Sequence, residues 1–79
     1  MHTVTIYSTP TCGYCKLAKQ FFKDHGVAYT EKDVAGDAIA RAEMIQKSGQ
    51  MAVPVIEIDA TMILGFDEKA LQTALDIKS

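Results

Sequence analysis

The stretch 3-TVTIYSTPTCGYCKLAK-19 carries the reading of the fold. Thr3 to Ser8 alternates, with Val4 and Ile6 on one face and Thr3, Thr5 and Tyr7 on the other, which is the signature of a strand. Pro10 and Gly13 punctuate a loop, and a helix follows from about Gly13 to His25. Ala18, Phe21, Phe22 and His25 recur at helical spacing as its expected buried stripe, while Lys16, Lys19 and Lys23 fall on another side and read as solvated. Cys12 and Cys15 therefore sit at the junction of a strand and a helix. At a helix start, unpaired backbone N–H groups and the positive end of the dipole stabilise an anion. The thiolate is the nucleophile of disulfide exchange. Cys15, about one turn further on, is within reach of a mixed disulfide on Cys12. Cys12 thus reads as nucleophile and Cys15 as resolving thiol.

Working outward, Gly26 stops the first helix. Val27 to Lys32 is β-rich and reads as a second strand. Gly36 and Asp37 open a second helix running to about Lys47, with Ala38, Ile39, Ala42 and Ile45 as its apolar positions and Ser48-Gly49 as its end. Val53 to Ile58 reads as a third strand with Pro54 near its start. Asp59-Ala60 makes a tight reversal into a fourth strand, Thr61 to Leu64. Asp67 caps a last helix that packs through Leu71, Ala74 and Leu75. The order is β-α-β-α-β-β-α, an α/β chain. A strand–helix–strand unit favours parallel pairing and a hairpin requires antiparallel pairing, so a four-stranded mixed sheet flanked by three helices is expected.

Bulk properties narrow the function. Seventy-nine residues fit a single domain spanning 1–79. The chain is 48% hydrophobic and 23% charged, with net charge −2, an ordinary globular balance rather than a disordered one. Its lysines and arginine are scattered, so nucleic acid is not the expected partner. No apolar run spans a bilayer, and the opening Met1-His2-Thr3 lacks the pattern of a secretory signal, so no membrane association and a cytoplasmic setting are expected. Two cysteines three apart close almost no loop and stabilise little, so the pair is better explained by chemistry than by stapling. A C-x-x-C pair is also half of many zinc sites. There is no second cysteine pair, however, and His2 and His25 lie near the terminus and at the far end of the first helix, so no metal site is expected.

The residues resemble the glutaredoxin family over nearly the whole chain. Tyr7 through Lys16 is similar to its strand, loop and active-site helix, and Met51-Ala52-Val53-Pro54 to its T-V-P segment with Ala52 for Thr. Leu64-Gly65-Phe66-Asp67 is similar to its G-G-x-D segment, with Leu64 for the first glycine. The resemblance implies a thioredoxin-like fold, a cis Pro54, and glutathione-dependent reduction of protein disulfides or glutathione mixed disulfides. It also implies roles toward glutathione: Val53 offers backbone bonds to the cysteinyl part, Phe66 and Asp67 hold the γ-glutamyl end, Gln50 reaches the glycine carboxylate, and Tyr14 lines the groove. Partners implied are glutathione and disulfide-containing proteins, with the chain as a monomer and no resident cofactor. Two alternatives stand beside this. Thr9 occupies the place where many members carry lysine, and Gly65-Phe66 is similar to redoxins reduced by thioredoxin reductase. Members with glycine after the first cysteine, as Gly13 is here, hold a [2Fe–2S] cluster between two chains with two glutathiones.

Overall fold

The computed structural model describes residues 3–51 and 53–76. The reading of the start at Met1 and His2, and of Ala52 within the T-V-P segment, lies outside the described residues. Seven elements follow in the expected order: β1 (Val4–Ser8), α1 (Gly13–Asp24), β2 (Thr30–Asp33), α2 (Ala38–Ser48), β3 (Val55–Ile58), β4 (Thr61–Leu64) and α3 (Glu68–Ala74). The sheet order is β2-β1-β3-β4, with β1 parallel to β2 and antiparallel to β3, and β3 antiparallel to β4. This is the expected mixed sheet of four strands with three helices.

Strand alternation sorts the core into two layers. Val4 and Ile6 of β1, Ile56 and Ile58 of β3, and Ile63 of β4 pack with Ala18, Phe21 and Phe22 of α1 and with Leu71 and Leu75 beside them. The opposite face buries Tyr7 and Val55 with Val34 and with Ala40 and Met44 of α2. Both faces are covered, which is why Tyr7 is fully buried although it alternates with the polar residues of β1.

Four boundaries or faces differ from the sequence reading. The second strand begins at Thr30, not Val27. Gly26 takes φ 65°, and the Val27 N–H returns to the Phe22 carbonyl at 2.8 Å, closing the end of α1. Val27 and Tyr29 then pack sideways on the core, and parallel pairing starts only where Thr30 meets Thr5. The third strand begins at Val55, after the cis Val53–Pro54 bond, because proline has no N–H to give the ladder.

The phase of α2 also differs. Its expected apolar face of Ala38, Ile39, Ala42 and Ile45 is exposed, Ile39 to 79%, and Ala40 and Met44 are buried instead. Apolar residues ring most of this helix, so periodicity alone leaves its rotation open. Glu43 decides it: Oε1 accepts from the buried Tyr7 hydroxyl at 2.8 Å and from Lys32 Nζ at 2.7 Å, turning Ala40 and Met44 onto the sheet. His25 likewise leaves the buried stripe of α1; it is the exposed C-cap residue, its ring lying over Phe21 at a centroid distance of 4.2 Å.

Candidate active site

Sheet register gathers the predicted site residues at one end of the molecule. Ser8, the last residue of β1, pairs with Asp33 at the end of β2. Tyr7 pairs with Val55, and Val55 pairs with Leu64. The loop carrying Thr9 to Cys12, the Val53–Pro54 segment and the Gly65-Phe66-Asp67 segment therefore all leave the sheet at the same end. A hydrogen bond from Gly65 N–H to the Pro54 carbonyl at 2.8 Å ties the last two together. Gln50 follows the C-cap of α2, Gly49, whose φ of 75° requires glycine, and so approaches from that helix.

Cys12 is the N-cap of α1. A turn sets it up, its N–H donating to the Thr9 carbonyl at 3.3 Å. Its Sγ accepts the backbone N–H of Cys15 at 3.1 Å, in the place where a serine or aspartate oxygen usually sits. Cys12 is half-buried, whereas Cys15, in the first turn and facing inward, is fully buried. The two sulfurs are free thiols. Burial first, and the hydrogen bond with Cys12 second, push the Cys15 thiol up to about 12; the Thr9 N–H facing its sulfur and the Lys19 charge act in the opposite sense. One sulfur is thus presented at a helix start and the other is stored as a protonated thiol behind it.

The other predicted residues are placed as follows. Tyr14 is 65% exposed, and with Gly13 and Leu17 it lines an open, mainly apolar hollow of about 460 Å³ beside Cys12. Val53 is half-buried against the α2-side core and Pro54 is fully buried. Phe66 packs edge-on to Phe21 at 6.4 Å, which leaves it half-buried. Asp67 is exposed and caps α3, its Oδ1 accepting from Ala70 N–H at 3.1 Å. Gln50 is half-buried, and its backbone exchanges bonds with the Ser48 hydroxyl. The larger groove, about 760 Å³, runs instead between β4 and α3 and shares only Asp67 with the predicted set. A Cβ at Gly13 would meet nothing within 4 Å, so space does not demand glycine there. Among the described residues no group of three or more His, Cys, Asp or Glu side chains is arranged to hold a metal ion, and no helix is long and apolar enough to cross a membrane.

Sequence reasoning missed one part of the surroundings. Lys19 is not merely solvated. Its Nζ donates to Glu31 Oε2 of β2 at 2.8 Å, and the same oxygen accepts from the hydroxyl of the buried Ser8 at 2.8 Å. The only sequence signal was the spacing of Lys19, four residues after Cys15 and so on the same helix face.

A βαβαββα sheet protein with paired thiols at the start of its first helix belongs to the thioredoxin-like class of thiol–disulfide proteins. The solved structures agree: the crystal structure of a mutant thioredoxin-like protein superposes with a TM-score of 0.91 at 35% identity, covering 99% of this chain and 100% of that one. More narrowly, the glutaredoxin family model matches residues 4–63, and the chain belongs to that family. It is 44% identical over 68 residues to glutaredoxin 3 of Escherichia coli, covering 86% of this chain and 82% of that protein. It is 38% identical over 73 residues to a glutaredoxin-like 8.6 kDa protein in the rubredoxin operon of Clostridium pasteurianum, covering 92% and 97%. Thiol–disulfide oxidoreduction is the kind of function that family and fold support.

Proposed function

We propose that this protein reduces protein disulfides and glutathione mixed disulfides through Cys12, with Cys15 resolving the intermediate and glutathione as electron donor. The observation that carries this is the unequal setting of the two sulfurs, one half-buried at a helix N-cap and the other buried and held protonated. The Cys12 thiolate attacks one sulfur of the substrate disulfide, forms a mixed disulfide and expels the other sulfur as a thiolate that takes a proton from solvent. Cys15 then gives up its proton and attacks Cys12 Sγ, which forms the Cys12–Cys15 disulfide and releases the second substrate thiol. One glutathione opens that disulfide, and a second attacks the resulting glutathione–Cys12 bond, regenerating both thiols and leaving oxidised glutathione.

The same end of the sheet offers groups for a γ-glutamyl tripeptide. The Val53 backbone, next to an edge of irregular chain, is suited to β-type pairing with the cysteinyl unit. The exposed Asp67 carboxylate matches an ammonium, with Phe66 beside it. Gln50 and Tyr14 flank the approach from α2 and α1. Cys12→Ser is expected to abolish exchange, and Cys15→Ser to retain glutathione-dependent deglutathionylation of a glutathionylated peptide. Full activity in Cys12→Ser, read by glutathione-reductase-coupled NADPH oxidation, sinks the assignment.

One observation favours a second donor. Thr9 is uncharged and turns its backbone N–H toward Cys15, so the loop before Cys12 presents no cation to a glutathione carboxylate. Reduction directly by a flavoprotein of the thioredoxin reductase type is the corresponding reading. NADPH oxidation with thioredoxin reductase, compared with that through glutathione and glutathione reductase, separates the two.

A further inference from the structure

The resolving step faces an electrostatic obstacle. A fully buried thiol must develop negative charge before it can attack. Cys12, the Thr9 N–H and Lys19 act on the Cys15 sulfur. Lys19 follows Cys15 by four residues on α1, so the two side chains share one face of the helix. A free lysine there would extend into solvent. Here it is held back, because Glu31 Oε2 takes its ammonium at 2.8 Å and the Ser8 hydroxyl pins that same oxygen at 2.8 Å. Ser8 is only 1% exposed, and Glu31 pairs directly with Ile6 across the parallel ladder, so the clamp is built into the sheet face beneath α1. Lys23 also acts on Glu31, and Tyr29 on Lys19.

We propose that Lys19, clamped by Glu31 and Ser8, is a positioning residue for the resolving step, its fixed ammonium stabilising the charge that develops on the Cys15 sulfur as it attacks Cys12. This rests on the exchange reading above. Lys19 touches neither substrate nor donor. It acts through Cys15, on the second of the two sulfur transfers. In that transfer the Cys15 proton passes to solvent, the Cys15–Cys12 bond forms, and the bond from Cys12 to the departing thiol breaks.

The test uses the full reduced chain and a chromogenic aryl disulfide whose thiol is coloured on release. The first release reports attack by Cys12 and depends on reagent concentration; the second reports intramolecular attack by Cys15 and does not. Stopped-flow traces give the ratio of the two rates. In Lys19→Met the second release is expected to slow about tenfold relative to the first. Lys19→Arg is expected to restore the ratio to within about twofold of wild type, since it keeps the charge. Salt near 1 M is expected to narrow the gap between wild type and Lys19→Met. An unchanged ratio in Lys19→Met overturns the proposal, as does a slowing that neither arginine nor salt relieves, which would mark a packing role. Absence of the first release in the wild-type protein refutes the exchange reading itself, and this inference falls with it.

Discussion

Cys15 makes a stability prediction that needs no substrate. In the reduced protein its thiol is pushed up to about 12 from an ordinary value near 9, chiefly by burial. A raised value means that the folded state holds the proton more tightly than the unfolded chain does. The resulting stabilisation is complete below about pH 9, declines as pH rises through 9, and is gone above about 12. One proton corresponds to about 1.4 kcal/mol per pH unit inside that window, so the loss between roughly pH 8 and 10.5 is about 2 kcal/mol. Urea unfolding of wild type and Cys15→Ala, both kept reduced, measures it. The alanine protein starts from a different stability because a buried sulfur has been removed, but that offset does not vary with pH. Tyr7, Lys32 and Lys47 are raised as well, and those shifts are common to both proteins; Lys19 is raised chiefly by its hydrogen bond to Glu31, with Cys15 the last of its causes. The difference in unfolding free energy should therefore shift against wild type by about 2 kcal/mol over this range. A difference that stays constant from pH 8 to 10.5 refutes a buried, proton-holding Cys15.

Two further outcomes test the framework that holds the thiols. Phe22 is fully buried between α1 and the sheet, so Phe22→Ala is expected to cost about 3–5 kcal/mol in denaturant unfolding, and a loss under about 1 kcal/mol would contradict its place in the core. Asp37 caps α2 by accepting from the N–H groups of Ile39 at 3.0 Å and Ala40 at 3.1 Å, so Asp37→Ala should cost about 1 kcal/mol, while Asp37→Ser should recover most of it.

What could be read from the sequence and what could not divide along the reach of each signal. The β1–loop–α1 unit was legible because every cue in it is local: alternation over Thr3 to Ser8, the turn residues, and two cysteines one helical turn apart. The opening of α2 near Asp37, the cap role of Asp67 and the stop at Gly26 were legible for the same reason. The rotation of α2 was not, because Ala38, Ile39, Ala40, Ala42, Met44 and Ile45 leave no single apolar stripe, and the deciding contact joins Glu43 to Tyr7 from a strand 36 positions away. Lys19 was misread on similar grounds. It looked like one of three surface lysines, and its partner Glu31 reaches it only because β2 pairs parallel to β1. Among the site residues, Cys12 and Cys15 could be assigned from the helix start alone. Val53, Pro54, Phe66 and Asp67 could be named only through family resemblance, because nothing local to them says that sheet register brings them to the same end as Cys12.

The spacing of the two cysteines has a geometric reason that follows from this arrangement. A residue at the N-cap lies outside the helix proper, so its side chain meets solvent and the free N–H groups of the first turn. Three residues later the chain has come round to nearly the same direction, which is what lets the Cys15 N–H reach the Cys12 sulfur at 3.1 Å. The Cys15 side chain meanwhile starts the stripe continued by Ala18 and Phe22, and so points into the core. One residue more or fewer between them would rotate the second sulfur by about 100° around the helix, taking it out of that stripe and away from the first. The difference between the two thiols therefore comes from a single turn of helix laid across a sheet face, and no charged side chain is needed to create it. A clamped cation such as Lys19 serves the opposite purpose, easing the charge that the buried sulfur must develop as it attacks.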